Sequence, residues 1–320
     1  MPGATPAVFR SSVGGYAKFG IEAALLSSVA TAIDVAPALG LCGICDLPTI
    51  SDPNNAQVVH TVGSRQGVDT VLGGREPSAN LNLRMGSAAF LMHGLQSSGL
   101  GTLYGLPELA FGGGHITDFG AGRVLAWLLR HGMINSVSLQ FQEGQLVTAT
   151  VEIWGTVLTL NAANQSVTQS ELEALPKALT WGHTYFTIGG VSYRDVISSV
   201  SLQWSNGLIR EGERNELGHN NDLSRTTYQI LPGVETVNVS YTLKQQLPDS
   251  LIKSSLNARN WGPIRLSATD AAIGGTNEMA VDITNNLLGN QTMNGVQPGQ
   301  KFSFTANTTS RVISISDSLT

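Results

Sequence analysis

The sequence predicts a mainly β protein of the α+β class, in which sheets dominate and helices are few and short. Three observations lead to this prediction: period-two alternation of apolar and polar residues in several segments, glycine-containing turns between them, and only three short stretches with helical spacing. A chain of 320 residues, 42% of them hydrophobic, can bury a large core. We therefore expect either one large β domain or two of ordinary size.

The clearest strands form a predicted hairpin between Ile134 and Gly155. Residues 136–142 alternate strictly between apolar and polar side chains, and the turn around Gly144 leads into a second β-rich run that ends at Trp154. Similar alternation predicts strands at 80–84, 200–204, 237–243 and 302–306.

Helical spacing is confined to three short segments. Residues 87–96 begin with the N-cap candidate Ser87, residues 123–131 end before Gly132, and residues 249–259 follow a proline. Each segment precedes or follows a predicted strand, so we expect helices only as additions to the sheets.

The chain carries little charge. It has 18 Lys and Arg against 23 Asp and Glu, a net charge of −5, and only 13% charged residues, whereas about 25% is usual. Basic clusters supply most of the affinity for phosphate backbones, and none is present, so a nucleic-acid-coating function is disfavoured. An apolar chain with so few charges indicates that part of its surface is buried against other copies.

No catalytic, metal or cofactor motif emerges from the sequence. Cys42 and Cys45 form a single C-x-x-C pair, which is half a zinc site, and we interpret them as small residues beside a strand. The six histidines are scattered, and the glycines before His115 are interpreted as a Gly-rich loop. We expect no enzyme activity, cofactor, membrane helix or signal peptide.

Internal similarity at a nearly constant offset predicts a duplicated unit. Residues 142–150 resemble residues 297–305 at an offset of 155, and residues 72–76 resemble residues 231–235 at an offset of 159. The polar stretch around residues 161–170 lacks periodicity. We therefore predict a first domain at 1–160, a linker at 161–176 and a second domain at 177–320.

Two long loops are predicted to make contacts between copies. The first covers residues 60–76, and the second covers residues 209–231, with seven charged residues of both signs. Both signs together favour a self-complementary partner, and long loops in compact domains are usually functional. The candidate contact residues are Arg65, Asp69, Arg75, Glu76, Arg210, Glu211, Arg214 and Glu216.

Several of these segments are similar to the tail tube proteins of long-tailed bacteriophages, in particular to the members with two tandem tube domains. The resemblance lies in 15–22 (GYAKFGIE), Gly63-Ser64-Arg65, Leu72 to Glu76, the predicted hairpin, and the segments 186–190 and 200–208. The family's Pro-Gly-Arg turn is incomplete in both halves, 219–222 replaces a frequent basic cluster, and 99–122 has no counterpart that the sequence identifies.

The resemblance implies two tandem β-sandwich or barrel-like domains, each with a flanking short helix. It implies a structural virion protein, made in the host bacterial cytoplasm, whose sheets join edge to edge in rings. With two units per chain, a ring of six units needs three chains, and stacked rings would form the tail tube for DNA ejection. The implied partners are further copies, a tape measure protein, and tail terminator and baseplate proteins.

The polar face of the inner strands is predicted to line the bore, including Ser138, Gln140 and Gln142. Neutral polar groups and carboxylates would let DNA pass without specific binding. The main alternative is a secreted or surface carbohydrate-binding or adhesin sandwich, although the sequence shows neither an export signal nor an aromatic platform. A β-rich hydrolase and another injection-machine part of the same fold are further alternatives.

Overall fold

The computed structural model describes most of the predicted sheets. The described residues are 14–21, 40–46, 48–53, 57–59, 69–71, 74–95, 106, 108–118, 123–160, 171, 175–195, 197–215, 225–243, 263–269, 278–284, 287–293, 303–309 and 312–317.

Strands are named in chain order. Those before residue 161 are β1 (Gly14–Ile21), β2 (Gly40–Leu41), β3 (Ile44–Cys45), β4 (Thr49–Ser51), β5 (Gln57–Val59), β6 (Asp69–Val71), β7 (Gly74–Arg75), β8 (Ser78–Arg84), β9 (Leu109–Asp118), β10 (Arg123–Gln142), β11 (Thr148–Trp154) and β12 (Val157–Leu160). Helix α1 (Ala89–Met92) follows β8.

The later strands follow a 3₁₀ turn at Trp181–His183. They are β13 (Thr184–Ile188), β14 (Val191–Ser192), β15 (Ile197–Ser205), β16 (Ile209–Asn215), β17 (Arg225–Leu231), β18 (Thr236–Leu243), β19 (Ile264–Thr269), β20 (Glu278–Thr284), β21 (Leu287–Met293), β22 (Ser303–Thr309) and β23 (Val312–Asp317).

A long sheet joins strands from both halves of the chain. At one end of this sheet, β3 and β4 both pair with β8. From β8 the order continues with β11, the later part of β10, β15, β18, β22 and β21. The earlier part of β10 belongs to a first short sheet, β2-β1-β9-β10-β12, and a second short sheet has the order β14-β13-β19-β20-β23. His131, with φ 50°, lies between the two parts of β10, next to Gly132.

The two halves show the same succession of strand pairs. β4 pairs with β8, β8 with β11 and β11 with β10, just as β15 pairs with β18, β18 with β22 and β22 with β21. Both hairpins contain a register shift, between Ile134 and Ser136 in one and between Leu288 and Gln291 in the other. The division into domains at 160 and 177 stays a prediction.

One apolar cluster lies between the sheets. It contains alternate residues of the long sheet, such as Val137, Leu139 and Trp204, and residues of both short sheets, such as Phe111 and Leu266. The polar positions between them face away from this cluster, so the alternation seen in the sequence is the two-sided pattern of a packed sheet. The prediction of a mainly β sandwich is confirmed.

The predicted hairpin and the predicted alternating strands are present. β10 and β11 pair from Met133 and Trp154 to Gln140 and Thr148, and the turn at Gly144 has φ 74°. The helix predicted at 87–96 is reduced to α1, whose preceding residue Ala88 donates its N–H to Asp317 of β23. The helix predicted at 249–259 lies outside the described residues.

Two predictions were wrong. Residues 123–131 form the start of β10 and not a helix, because the run is apolar on both faces and periodicity cannot distinguish the two there. The glycines 112–114 lie in β9 and not in a loop, since pairing with β1 and β10 fixes them as strand.

Candidate assembly surfaces

The outward face of the long sheet is covered by hydroxyl and amide side chains. Gln140 is exposed, and its Nε2 donates to Ser201 Oγ at 2.7 Å and to Ser138 Oγ at 3.1 Å. On the neighbouring strands, Thr150 Oγ1 donates to Asn82 Oδ1 at 3.1 Å. The structure thus brings Ser138, Gln140 and Gln142 onto one face, where Gln140 is bound to Ser201 of the neighbouring strand and to Ser138 of its own strand.

The long sheet ends in two strand edges. Among the described strands, β21 pairs only with β22, and β4 pairs only with β8. A strand edge offers backbone N–H and C=O groups to another chain. In the middle of the sheet, β10 pairs with β15 from Ser136 and Ser205 to Gln142 and Ser199, so this joint links the two halves of the chain.

The second predicted contact loop is a β hairpin and not an irregular loop. β16 and β17, named here the second hairpin, pair from Ile209 and Leu231 to Asn215 and Arg225. β5 and β6 pair in the same manner in the first half and form the first hairpin. Of the charged residues in these regions, Asp69, Glu211 and Arg214 lie on the described hairpin arms.

The structure brings several predicted contact residues together. In the backbone ladder, Thr226 of β17 lies between Arg214 of β16 and Arg75 of β7. Glu211 also lies on β16, whereas Asp69 lies on the first hairpin. Glu76 is exposed immediately after β7. Arg65 and Glu216 lie outside the described residues.

Arg210 connects the second hairpin to the first half of the chain. Its Nη2 donates to Pro77 O at 3.1 Å, and its Cζ lies 4.8 Å from the centre of the Trp154 ring. Burial lowers the pKa of Arg210, while the carboxylates of Glu76, Glu152 and Asp52 raise it. Arg210 and Glu76, predicted from separate loops, therefore share one electrostatic environment.

A polar cluster at the β10–β15 joint was missed by sequence reasoning. Glu152 Oε2 accepts hydrogen bonds from Asn135 Nδ2 at 2.8 Å and Ser136 Oγ at 3.1 Å, and its Oε1 accepts one from Trp154 Nε1 at 2.9 Å. Asn135 Oδ1 accepts the N–H of Leu208 at 3.3 Å. The only sequence signal was a carboxylate within an otherwise uncharged strand.

Asn206 completes this cluster from the other side of the joint. Its side chain is buried, and Nδ2 donates to Ile134 O at 2.7 Å and to Gly94 O at 2.8 Å. The backbone N–H of Asn206 donates to Asn135 O at 2.8 Å. The chain after β15 is thus fixed against β10 by side chains as well as by the strand ladder.

The two cysteines are placed as small, partly enclosed residues. Cys42 is buried and Cys45 lies in β3, and both are free thiols. Burial raises the pKa of Cys42, and burial raises that of Cys45 to about 12. In the part of the chain that the structure describes, no group of three or more His, Cys, Asp or Glu residues is placed to hold a metal ion.

The fold defines a mainly β protein whose long sheet has open strand edges, and such edges offer backbone hydrogen-bonding groups to a strand of another chain. Within the described residues, no helix has the length and apolar character needed to cross a membrane.

The family model of the phage tail tube protein matches residues 20–244, so the chain belongs to the phage tail tube family. The resemblance to phage tail tube proteins is confirmed, and the two tandem tube domains stay a prediction. The family gives the chain a structural role in the tail tube, self-assembly into that tube, and a place in the virion tail; it is not normally an enzyme family. No curated protein sequence matches the chain.

Proposed function

We propose that three copies of this chain close into a ring of six similar units, and that stacked rings form the conduit for DNA ejection. The units are those at 1–160 and 177–320, separated by the linker at 161–176. The observation that supports the proposal is the β10–β15 joint, where a strand of the first half of the chain pairs with a strand of the second half.

The repeated pairings indicate which edges would meet between copies. β21 of the second half corresponds to the later part of β10 in the first half. β4 of the first half corresponds to β15 of the second half. The joint between β10 and β15 therefore has one counterpart, β21 of one copy against β4 of the next. Closing these edges removes the exposed strand templates from the ring.

The register of this joint follows when the buried positions of the two halves are matched along with the strand pairs. Placing Tyr241 at the position of Leu83 sets the offset at 154 residues both for β10 and β21 and for β4 and β15. Ser138 pairs with Gln203 inside the chain, and the positions 154 residues after and before them are Thr292 and Thr49. Thr292 of one copy would then lie opposite Thr49 of the next, and Gln291 opposite Ile50. Directly opposite residues in antiparallel strands have Cα atoms about 4.5–5.5 Å apart.

The outward face of the long sheet would line the bore. Ser138, Gln140 and Gln142 lie on this face, and its described hydroxyl and amide groups present no cationic stripe to a phosphate backbone. DNA would pass without being held. The first and second hairpins would contact neighbouring rings through their charged residues, such as Asp69, Glu211 and Arg214. The tape measure, terminator and baseplate proteins are the further partners that the family resemblance suggests.

Cysteine cross-linking tests the ring and its register. The variant Thr49→Cys with Thr292→Cys, in a Cys42→Ala and Cys45→Ala background, is assembled into tubes and oxidised. We expect covalent species that end at three chains on a non-reducing gel, because the predicted Cα separation is within the range of a disulfide.

The controls separate register from general proximity. Each single cysteine, and Thr49→Cys combined with Ser314→Cys on the exposed side of β23, should give no covalent trimer. A ladder extending beyond three chains would contradict closure, and absence of cross-links in intact tubes would contradict the β21–β4 joint.

A further inference from the structure

We infer that the joints between copies lack the polar cluster that fixes the joint inside each chain, so that the ring alternates between fixed joints and weaker ones. The junction cluster is defined as Asn135, Glu152, Trp154, Asn206 and Arg210. The inference rests on the proposed function, because it compares the β10–β15 joint with its proposed counterpart between β21 and β4.

The junction cluster acts on both sides of the β10–β15 ladder. The side chain of Asn135 donates a hydrogen bond to Glu152 on one side and accepts one from the N–H of Leu208 on the other. Arg210 reaches back over the ring of Trp154, whose N–H is itself bound to Glu152. Removing strand β15 from β10 would therefore break side-chain contacts in addition to backbone hydrogen bonds.

The hydrogen bonds of Asn206 require a side chain that can donate. Its amide nitrogen donates to two backbone carbonyls, Ile134 O and Gly94 O, and its side chain is buried. An ionised carboxylate in this position has no hydrogen to donate and would be repelled by both oxygens. An amide is thus required here, and an aspartate is the least suitable replacement of the same shape.

The positions that correspond at the copy–copy joint carry different residues. Offsets of 154 or 155 residues, set by the strand pairs of the two halves, place Gly289 at the position of Asn135, Asn307 at that of Glu152 and Thr309 at that of Trp154. On the other edge, Asp52 stands at the position of Asn206.

These replacements remove the side-chain amide of Asn135, the carboxylate of Glu152 and the ring of Trp154. Glycine has no amide to link the strands, and threonine offers no ring on which a guanidinium could stack. Asp52 places a carboxylate where the internal joint uses an N–H donor. The joint between copies is consequently held by its backbone ladder and apolar face, and the ring opens first at chain boundaries.

Hydrogen exchange on assembled tubes tests this difference inside one molecule. We expect the amides of 136–142 and 199–205 to exchange at least tenfold more slowly than those of 290–293 and 49–51. Equal protection at the two joints would overturn the inference. If 290–293 and 49–51 gain no protection when the free chain assembles, the β21–β4 joint of the proposed function fails instead.

Asp52→Asn and Asn206→Asp exchange the residues of the two joints and test the chemistry directly. Asp52→Asn should slow the dissociation of rings on dilution about tenfold, measured by mass photometry. Because Asp52 also acts on Arg210 of its own chain, exchange at 136–142 and 199–205 of the free variant is measured as well and should be unchanged. Asp282→Asn on β20 removes a carboxylate that binds Arg265 away from the joint and should have no effect. No slowing by Asp52→Asn, or equal slowing by both variants, would overturn the inference.

Asn206→Asp brings the residue of the weaker joint into the fixed one. In the free chain it should speed exchange at 136–142 and 199–205 about tenfold while leaving 279–283 of the second short sheet unchanged. Unchanged exchange at the joint would contradict the assigned role of Asn206. If this variant does not fold, the Asp52→Asn measurement still decides the inference.

Discussion

Gly207 and Gly233 approach each other so closely at the base of the second hairpin that neither has room for a side chain. A Cβ on Gly233 would lie 2.1 Å from the carbonyl oxygen of Gly207. Gly207 has φ 52°, and its own Cβ would lie 2.9 Å from Val234 O. Because Gly233 N also donates to Asn206 O at 3.0 Å, this backbone crossing is continuous with the junction cluster.

Gly233→Ala should therefore destabilise the protein and displace the second hairpin. The clash is with backbone atoms, which cannot rotate away, so we expect the free energy of unfolding to fall by about 1–3 kcal/mol. Urea unfolding of the free chain measures this. Gly40→Ala is the matched control, because no atom lies within 4 Å of its Cβ position; a similar loss in both variants would contradict the steric explanation.

The sequence was most informative where one face of a strand is polar. Strands β8, β15 and β18 and the β10–β11 hairpin alternate because one side packs on the cluster and the other does not. The start of β10 is apolar on both faces, with Ala126, Trp127 and Leu129 all buried, so no alternation was present to read. β9 carries glycines in place of a pattern.

The candidate assembly surfaces were predictable only where a local pattern marks them. The polar face containing Gln140 followed from alternation. The charged contact regions followed from their charge content, but they were predicted as loops, and the pairing of β16 with β17 was not foreseen. The junction cluster did not, because Asn135 and Asn206 are far apart in sequence and only the pairing of β10 with β15 brings them together. Pairing between distant strands is a tertiary property that local patterns do not encode.

The two thiols should react slowly in the folded chain. The thiolate is the reactive form, and burial holds the pKa of Cys45 near 12, far above the working pH. At pH 8 we expect alkylation by iodoacetamide at least a hundredfold slower than in urea, followed by mass spectrometry. In a Cys42→Ala and Cys45→Ala background, Gln142→Cys supplies an exposed thiol as a control. Equal rates for native and unfolded protein would contradict the enclosed placement.

Alkaline pH should destabilise the fold in part through Tyr16. Burial, with a smaller contribution from Glu171, raises the pKa of Tyr16 to about 12, whereas an unfolded tyrosine has a pKa near 10. The folded state therefore keeps this proton longer, so the stability it contributes is complete below pH 10 and is lost as pH rises toward 12.

Comparison of urea midpoints between pH 8 and pH 11 measures this contribution. Tyr16→Phe should lose less stability over that range than the unmodified chain, since its side chain does not ionise. Tyr185→Phe removes an exposed phenol and should follow the unmodified chain. Parallel curves for the chain and Tyr16→Phe would show that the phenol does not account for the pH dependence.

Lysines on the outward face of the long sheet should slow DNA ejection from phage particles. We expect Ser138→Lys combined with Gln140→Lys to place ammonium groups in the bore, because both residues lie on the face opposite the apolar cluster. Each ring would then attract passing phosphates, and ejection should slow most at low salt, where screening is weakest. Fluorescence recording of ejection at several salt concentrations measures the rate.

Ser314→Lys, on the exposed side of β23, adds a lysine elsewhere and should leave the rate unchanged. If the lysine pair ejects DNA as fast as Ser314→Lys at every salt concentration, this face does not line the bore.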